Sequence, residues 1–235
     1  MFLSIVIPAY NEGKVIKKNV ELINRYFINK FSFEIIVIND GSNDDTNSIL
    51  YQLKINNLSV YNNLNNRGKG ASIRKGVKKS KGKIVLVADA DLSAPINQFE
   101  KLYDELKKGY EIVIGSRSTN DAEVIITQPL KRVITGKVYN LLVIFFLGLN
   151  YTDTQCGFKL YDGEIIRNII EVCKINNFSI DVEILFLAKS FNLKVFEKGI
   201  VWENNTFSKV SLIKDPLIMF VDLFRIRFSI YNINK

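Results

Sequence analysis

Residues 85–95 read VLVADADLSAP, and this stretch sets the expectation for the whole chain. Four apolar residues lead into Asp89 and Asp91, after which the chain turns polar and reaches Pro95. The apolar part is typical of a buried β-strand. Two carboxylates one residue apart at the tip of such a strand repel each other unless a cation lies near both. The stretch therefore predicts a strand that ends in a binding site.

Outward from this stretch, short apolar runs alternate with amphipathic segments through the first half of the chain. The pattern predicts strands at residues 2–8, 34–39, 58–61, 84–88 and 110–115, and helices at residues 12–28, 44–53, 69–79 and 96–107. This alternation indicates an α/β protein with a mostly parallel, Rossmann-like central sheet and helices on both faces. Ligands of such sheets bind beyond the carboxyl ends of the strands. PAYNE, NDGSN, DADLS and GSR lie at four of those ends, so we expect them to converge on one crevice.

The pattern changes in the second half of the chain. We predict a loop at residues 118–128, helices at residues 138–149, 162–173 and 181–191, and a strand at residues 194–202. The apolar helix at 138–149 is too short to span a bilayer, and it fits either a buried helix or a membrane-interface helix. The same two interpretations fit residues 212–231, where Arg225 and Arg227 interleave with apolar side chains. No shift in composition marks a boundary, so we expect one domain over residues 1–235.

The composition limits the chemistry that is possible. The chain has 235 residues, 47% of them apolar, and a formal charge of +8, which favours an anionic partner. It contains no histidine, which excludes Ser-His-Asp hydrolysis, histidine-ligated zinc and histidine acid–base catalysis. Two cysteines are too few for a disulfide scaffold, and the sequence shows no evident signal peptide or transmembrane helix. These features predict a protein of the reducing cytoplasm.

Asp89 and Asp91 are the candidate metal ligands. Hard divalent cations such as Mg²⁺ and Mn²⁺ take oxygen ligands and often share them with substrate phosphates. In an extended strand the two side chains would point to opposite faces, but a turn at the strand end lets both approach one ion. The alternative is a pair of solvated loop aspartates or helix N-caps.

Residues 66–76, NRGKGASIRKG, form a glycine-rich stretch before a predicted helix. The stretch does not match the dinucleotide pattern, because Ile73 stands where a third glycine is required, and it does not match the P-loop. Arg67 and Lys69 are candidates for contact with the phosphates of a nucleotide. The alternative is a flexible basic turn.

Asp40 and Arg117 each follow a predicted strand. Asp40 is placed to accept hydrogen bonds from a base or a ribose, or else it caps the helix that begins near residue 44. Arg117 is placed to pair with a pyrophosphate, or else it is a surface arginine.

Several motifs carry a resemblance to a known family. SIVIPAYNE, VINDGSNDDT, NRGKGASIRKG, VADADLSAP and IGSR occur in the order seen in inverting family 2 glycosyltransferases of the GT-A fold. DTQCGFKLY, DVEILFLA and WENNTFSKV resemble the dolichyl-phosphate β-glucosyltransferase branch, which is related to the dolichyl-phosphate mannose synthases. The resemblance implies that residues 1–117 bind the nucleotide sugar and residues 118–235 bind the acceptor. Eukaryotic members carry an N-terminal membrane anchor, and we expect none here because the first motif begins at once.

The resemblance also implies roles for particular residues. Asp89 and Asp91 hold the metal on the diphosphate, Arg117 and Lys209 contact the diphosphate, and Arg132 meets the lipid phosphate. The expected catalytic residues are Asp91, Arg117, Arg132 and Lys209. The expected contacts of the nucleotide sugar are Pro8, Ala9, Tyr10, Glu12, Asp40, Gly68, Lys69 and Asp89, and those of the acceptor are Arg132, Asn140 and Gln155.

The chain departs from the mannose synthases at two positions. A glutamine that can join the metal in those enzymes is Ser93 here, which is a shorter and weaker ligand. The mannose synthases also show R-x-x-x-S-x-x-x-N, whereas this chain has Arg132, Gly136 and Asn140, so the serine contact is absent.

The resemblance implies a metal-dependent, inverting transfer of a sugar to a polyprenyl (dolichyl) phosphate, with UDP-glucose favoured as the donor. GDP-mannose, UDP-N-acetylglucosamine and UDP-glucuronic acid stay open as donors. A phosphate acceptor is largely ionised near pH 7, because its second pKa is about 6, so no catalytic base is required. Such an enzyme is expected to work as a peripheral protein at the cytoplasmic face of a membrane.

Three other classes stay open at this point. A transferase that acts on a soluble or polysaccharide acceptor needs a catalytic carboxylate, for which Asp181 and Glu183 are the candidates. A nucleotidyltransferase would use the same carboxylate pair and release pyrophosphate. A basic binding module is the third class, but the basic residues are scattered without a stripe of aromatic residues, so nucleic acid is not an expected partner.

Overall fold

The structure, a computed structural model, describes residues 1–127, 129–204 and 214–231. Its strands are β1 (Leu3–Ala9), β2 (Phe33–Asn39), β3 (Leu58–Asn62), β4 (Ile84–Ala88), β5 (Ile112–Ser116), β6 (Glu123–Ile126), β7 (Phe158–Asp162), β8 (Val195–Gly199) and β9 (Val201–Glu203). Its helices are α1 (Ile16–Phe27), α2 (Thr46–Gln52), α3 (Lys69–Lys79), α4 (Phe99–Lys107), α5 (Leu130–Leu147), α6 (Gly163–Val172), α7 (Ile180–Ser190) and α8 (Lys214–Phe228). A short 3₁₀ turn, Ile96–Gln98, leads into α4.

The main sheet has seven strands in the order β3-β2-β1-β4-β7-β5-β8. Neighbouring strands are parallel except where β7 lies between β4 and β5, antiparallel to both. The carboxyl ends of β1, β2, β4 and β5 therefore lie along one edge of the sheet. The strands β6 and β9 pair in parallel as a separate two-stranded sheet. The predicted α/β fold with a mostly parallel sheet is confirmed.

Helices cover both faces of the main sheet, because consecutive residues of its buried strands point to opposite sides. In β1, Val6 belongs to one hydrophobic cluster, while Ile5 and Ile7 belong to the other. The first cluster contains Ile73 of α3 and residues of α5, α6 and α7, and the second contains Phe99 of α4 and residues of α1. The burial of these apolar faces is the main source of stability for such a fold.

The helices α5 and α8 pack against each other, with the ring centroids of Phe146 and Phe224 4.7 Å apart. The buried residues of α5 are Tyr139, Val143 and Leu147. Together the two helices present a broad exposed apolar surface, which we call the α5–α8 face. It comprises Leu130, Ile134, Val138, Leu141, Phe145, Leu217, Ile218, Val221 and Phe228. Of the helices that the structure describes, none is both long and apolar enough to cross a bilayer.

Three predictions of local structure were wrong. The loop predicted at 118–128 contains β6. This strand is largely exposed, so its residues do not alternate between apolar and polar as those of a half-buried strand do. The strand predicted at 194–202 is two strands in two sheets, because the chain changes sheets at Ile200. The Ile200 N–H donates to the Ser116 carbonyl oxygen at 3.1 Å, and its own carbonyl accepts from the Glu123 N–H at 3.1 Å.

The third concerns α5, which begins at Leu130 rather than at residue 138 and ends with Gly148 in the left-handed region at φ +63°. Its first half carries charged and small residues, so an apolar run alone marks only its second half. The strand β7 was not predicted, although its sequence forms part of the motif DTQCGFKLY.

Candidate active site

A cleft of about 540 Å³ opens at the carboxyl ends of the strands. It brings together most of the predicted site residues, namely Pro8, Ala9, Tyr10, Glu12, Asp40, Gly68, Lys69, Asp89, Asp91, Arg117, Arg132 and Gln155. Asn140 is not among the residues that line it, and Lys209 lies outside the described residues. The expected convergence of the four polar strand ends is therefore what the structure shows.

Asp89 and Asp91 reach the cleft through a tight turn after β4. The Leu92 N–H donates to the Asp89 carbonyl oxygen at 3.1 Å, and Leu92 has a φ of +49°, which leucine rarely adopts. Asp91 is fixed by Ser93, whose N–H and hydroxyl donate to its two carboxylate oxygens at 3.0 and 2.9 Å. Such backbone strain is common where a loop must aim functional side chains. The turn lets both carboxylates line the same cleft.

The electrostatics of this turn fit a bound cation. Burial and the repulsion from the neighbouring charge of Asp89 raise the pKa of Asp91 above its ordinary value. A divalent cation between them would relieve that repulsion, and carboxylate oxygens are ligands that Mg²⁺ and Mn²⁺ prefer. Among the described residues, no group of three or more acidic or cysteine side chains is placed to hold a metal. The pair therefore suits an ion that takes its other ligands from a substrate or from water.

Lys69, the first residue of α3, lies close to Asp89. Its Nζ is 2.8 Å from Asp89 Oδ1 and 3.9 Å from Asp181 Oδ2. Burial acts to lower the pKa of the Lys69 ammonium, but the charges of Asp89 and Asp181 outweigh burial and raise the pKa above its ordinary value. Lys69 is thus a fixed positive charge beside the carboxylate pair.

Asp40 holds the glycine-rich loop in place and does not cap α2. Its carboxylate accepts from the Gly68 N–H at 2.8 Å, from the Arg67 N–H at 3.0 Å and from Asn63 Nδ2 at 2.6 Å. Gly68 has a φ of +94°, and a Cβ at this position would lie 2.3 Å from the Asn176 carbonyl oxygen. The loop therefore requires glycine there, and it is anchored to the end of β2 rather than being a flexible turn.

Arg117 lies at the end of β5 and is held by Asp153. Its Nε and Nη2 donate to the two carboxylate oxygens of Asp153 at 2.6 and 2.7 Å, and its backbone N–H donates at 3.0 Å. Its guanidinium carbon is 5.4 Å from the centroid of the Trp202 ring. Such a bidentate pair fixes the guanidinium far better than a single contact does. Arg117 is therefore an oriented cation at the cleft and not a free surface arginine.

Arg132 contributes a second, half-buried guanidinium from α5. Burial and the nearby positive charge of Arg117 lower the pKa of Arg132, while Asp91 opposes this effect. The two guanidinium groups repel each other, and an anion bound between them would relieve that repulsion.

The ion pair between Asp153 and Arg117 leads to a prediction about stability. Burial acts to raise the pKa of Asp153, but the Arg117 guanidinium outweighs burial and holds the pKa below its ordinary value. The pair therefore stabilises the fold above the ordinary aspartate pKa of about 4, and this contribution is lost as pH falls through the lower folded pKa. We expect Asp153→Asn to lower the free energy of unfolding by up to about 3 kcal/mol at pH 7.

Urea denaturation of wild-type protein and of the Asp153→Asn variant from pH 7 to pH 3 measures this effect. The difference between the two proteins should shrink below about pH 4. A constant difference across that range would contradict the assignment of the stabilisation to the ionised pair.

Gln155 and Asn140, both predicted to contact the acceptor, have different surroundings. Gln155 lines the cleft, and its buried Nε2 has no hydrogen-bond partner among the described residues. Buried donors are usually paired, so this one is suited to a bound ligand. Asn140 instead donates from Nδ2 to the Tyr151 carbonyl oxygen at 2.8 Å, which ties α5 to the segment before β7. Its Nδ2 therefore makes a structural contact, and its buried Oδ1, like Gln155 Nε2, has no hydrogen-bond partner among the described residues.

Asp181 and Glu183, the candidate catalytic carboxylates, are buried at the start of α7 and do not line the cleft. Asp181 pairs with Lys159 and approaches Lys69. Glu183 accepts hydrogen bonds from the N–H groups of Lys174 and Ile175 at 2.8 and 2.9 Å. Neither is placed to take a proton from an acceptor in the cleft.

Sequence reasoning missed several residues of this site. Asp153 and Gly157 lie in DTQCGFKLY, where the motif was noted without a role for either residue. Asn177 and Phe178 line the cleft beside the glycine-rich loop, and no local pattern marks them. Asp153 and Gly157 could have been noticed because they belong to a polar motif that comes just before an apolar strand.

Comparison with known proteins agrees with this architecture. A family model described as Glycosyl transferase family 2 matches residues 4–170. A dolichyl-phosphate beta-glucosyltransferase of Trichomonas vaginalis is 32% identical, over 99% of this chain and 76% of that protein. A dolichyl-phosphate beta-glucosyltransferase of Dictyostelium discoideum is also 32% identical, over 97% of this chain and 74% of that protein.

Solved structures with a similar fold include a glucosyl-3-phosphoglycerate synthase from Mycobacterium tuberculosis, in complex with Mn²⁺, UDP and glucosyl-3-phosphoglycerate. The two chains align with a TM-score of 0.70 and 18% identity, over 100% of this chain and 81% of that one. The mannosyl-3-phosphoglycerate synthase from Rubrobacter xylanophilus aligns with a TM-score of 0.68 and 17% identity, over 96% of this chain and 72% of that one. Identities this low show a shared fold.

The fold and the comparisons together define a glycosyltransferase of the GT-A fold. The chain belongs to glycosyl transferase family 2, since the family model covers most of it and relatives above 30% identity span nearly all of it.

Proposed function

We propose that this enzyme transfers glucose, with inversion, from UDP-glucose to a polyprenyl phosphate of the dolichyl type. The observation that carries the proposal is the composition of the cleft. A carboxylate pair, Asp89 and Asp91, and two arginines, Arg117 and Arg132, line it together. The carboxylates suit a metal-bound diphosphate. Arg117 suits the same diphosphate, and Arg132 suits a second phosphate that arrives with the acceptor. The cleft also reaches α8 at Asp215, Pro216 and Met219, beside the α5–α8 face.

The relatives support the choice of donor and acceptor. The similar curated proteins of Trichomonas and Dictyostelium are named for glucose transfer to dolichyl phosphate. A solved neighbour was crystallised with Mn²⁺ and UDP-glucose. We therefore favour UDP-glucose over GDP-mannose, UDP-N-acetylglucosamine and UDP-glucuronic acid.

The residues of the first half would bind the donor. Pro8, Ala9, Tyr10 and Glu12 follow β1, and Asp40 fixes the loop that carries Gly68 and Lys69. Asp89 and Asp91 would hold Mg²⁺ or Mn²⁺ on the diphosphate. Bound there, the ion supplies Lewis-acid stabilisation of the departing diphosphate. This division assigns donor binding to residues 1–117 and acceptor binding to residues 118–235 of one domain.

The residues of the second half would position the acceptor. Arg132 and Gln155 Nε2, which has no partner in the part of the chain that the structure describes, would bind the lipid phosphate. Arg117, oriented by Asp153, would face the donor diphosphate. We keep the prediction that Lys209 adds a further positive charge there. A phosphate monoester is largely ionised near pH 7, so the nucleophile needs orientation and charge compensation rather than deprotonation. This chemistry agrees with the burial of Asp181 and Glu183, which leaves the cleft without a base from α7.

A product assay tests the function. Purified protein is incubated with each nucleotide sugar, with Mn²⁺, and with either a polyprenyl phosphate or 3-phosphoglycerate as the acceptor. We expect a lipid-linked glucose and release of UDP. Exclusive transfer to 3-phosphoglycerate would refute the lipid acceptor, and release of pyrophosphate would indicate a nucleotidyltransferase.

A lipid acceptor requires the enzyme to work at a membrane surface, at the cytoplasmic face in our proposal. The α5–α8 face exposes large apolar side chains, with Phe145 80% and Phe228 76% exposed, and Arg225 and Arg227 extend from α8 beside them. Each cation near an anionic leaflet contributes about 1 kcal/mol to binding. We therefore place the α5–α8 face against the membrane.

Flotation with anionic liposomes tests this placement. The wild-type protein should float with vesicles that contain phosphatidylserine, and Phe145→Ser/Phe228→Ser should float much less, because two interfacial anchors are lost. Leu64→Ser is the matched control, since Leu64 is fully exposed but lies between β3 and α3. Equal flotation of all three proteins would contradict the placement.

A further inference from the structure

Four charged side chains, all buried or half-buried, form a chain of ion pairs that leads from the interior of the main sheet to Asp89, a candidate metal ligand. Lys159 lies on β7 between Val87 of β4 and Ile114 of β5, and it is 2% exposed. Its ammonium donates to the Thr154 carbonyl oxygen at 2.8 Å and to the carboxylate of Asp181. The other oxygen of Asp181 faces Lys69, and Lys69 in turn contacts Asp89. The order of charges is Lys159, Asp181, Lys69, Asp89.

This arrangement gives Lys69 two carboxylate partners and Asp181 two ammonium partners. Lys69 Nζ is 2.8 Å from Asp89 Oδ1 and 3.9 Å from Asp181 Oδ2, so Asp89 is its nearer partner. A divalent cation that binds Asp89 must compete with that ammonium for the negative charge of the carboxylate, and directly for Oδ1. Lys69 is largely buried, and a buried ammonium without any carboxylate partner is strongly disfavoured. Asp181 is the second partner that lets Lys69 give up part of its contact with Asp89.

We propose that Asp181 is a positioning residue for the metal site, which keeps Lys69 neutralised so that Asp89 is able to accept a divalent cation. This inference rests on the proposed function, because it assumes that Asp89 binds metal. Asp181 itself does not touch the metal, since it lies below the cleft and is 4% exposed. Lys159 completes the arrangement by compensating the charge of Asp181 from the core side.

The proposal predicts an effect on metal affinity that a second substitution reverses. Removal of the Asp181 charge makes Asp89 the sole partner of Lys69, and the two then pair more tightly. The variant Lys159→Met/Asp181→Asn removes both charges at the core end, so no unpaired ammonium is left within the sheet. We expect it to bind Mn²⁺ about 10–100-fold more weakly at saturating UDP, the usual effect of losing a group that orients a metal ligand.

Adding Lys69→Met to that variant is the decisive step. Without the competing ammonium, Asp89 is released and most of the lost Mn²⁺ affinity should return. A purely structural role of Asp181 predicts the opposite, because a third substitution in the same region cannot repair a damaged fold. Free Mn²⁺ is measured by electron paramagnetic resonance during titration of each protein. UDP is held at a concentration shown to saturate that protein, because Lys69 is also an expected contact of the nucleotide sugar.

The matched control is Glu183→Gln, which alters a buried carboxylate on the same helix that contacts neither Lys69 nor Lys159. It should leave Mn²⁺ affinity unchanged. Unchanged affinity in Lys159→Met/Asp181→Asn, or a loss that Lys69→Met does not reverse, would overturn the inference. Absence of Mn²⁺ binding by the wild-type protein with UDP would instead refute the proposed function itself.

A single variant covers the case in which Lys159→Met/Asp181→Asn does not fold. In Lys69→Met alone, Asp181 keeps Lys159 as its partner and Asp89 loses its competitor. We expect Mn²⁺ to bind at least as tightly as in the wild-type protein. Weaker binding would mean that Lys69 supports the metal site rather than competing for it, and would overturn the proposal.

Discussion

Asp91→Ala is expected to reduce the rate of sugar transfer by about two to three orders of magnitude at saturating Mg²⁺ or Mn²⁺. Asp91 is half of the carboxylate pair that lines the cleft, and its two oxygens are oriented by Ser93. Its loss leaves Asp89 alone to hold the ion, and Asp89 already shares an oxygen with Lys69. The developing charge on the diphosphate would then lack its main stabilisation. Initial rates of product formation over a range of metal concentrations measure the effect.

Two controls test whether the loss of rate is specific to the role of Asp91 in metal binding. Asp104→Ala removes a carboxylate from the exposed surface of α4, where it pairs with Lys107, and should leave the rate unchanged. UDP binding by Asp91→Ala without metal should also stay close to wild type, because we propose that the ends of β1 and β2 supply the nucleoside contacts. Near-normal turnover of Asp91→Ala with metal present would remove the metal from the proposed mechanism.

The part of the site that the sequence predicts is the part that is local in the chain. Asp89 and Asp91 follow β4 directly, and the glycine-rich loop leads directly into α3, so short patterns are enough to place both. The parallel topology then brings these strand ends to one edge of the sheet. The residues that the first half of the chain contributes to the cleft could thus be predicted from little more than the alternation of strands and helices.

The part that could not be predicted depends on contacts between distant residues. Asp153 fixes Arg117 from 36 positions away, and Asp181 at the start of α7 approaches Lys69 at the start of α3, 112 positions earlier in the chain. The antiparallel insertion of β7 leaves no local signature, since a short apolar run has the same appearance in either direction. It also buries Lys159, which appears in the sequence as an ordinary surface charge. The functional chemistry of the second half therefore depends on topology rather than on pattern.

Gly157→Ala is expected to have an effect on transfer as large as that of Asp91→Ala while leaving the fold intact. A Cβ at residue 157 would lie 1.7 Å from Asp89 Oδ2 and 2.2 Å from Asp89 Cγ, so the carboxylate cannot keep its position. The backbone of Asp89 is tied to the same residue, because its N–H donates to the Gly157 carbonyl oxygen at 3.0 Å. The side chain must move while its backbone stays. A displacement of about 1 Å at a catalytic group is enough to cost about 100-fold in rate.

The fold should tolerate the substitution because the clash involves the end of a side chain. Gly157 does not have a positive φ, so alanine is compatible with its backbone. The Asp89 side chain is 40% exposed and has room to rotate into the cleft. We therefore expect the melting temperature to change little, while both Mn²⁺ affinity in the presence of UDP and the transfer rate fall sharply.

Gly136→Ala provides the matched comparison for this prediction. Gly136 also lines the cleft, but a Cβ there meets no atom within 4 Å, and alanine favours the helical conformation of α5. Its transfer rate should stay close to that of the wild-type protein. If Gly157→Ala matched the wild-type rate and Mn²⁺ affinity, Asp89 would be free to leave its position without consequence. The metal would then have to depend on Asp91 alone, and the charge chain from Lys159 to Asp89 would have no bearing on catalysis.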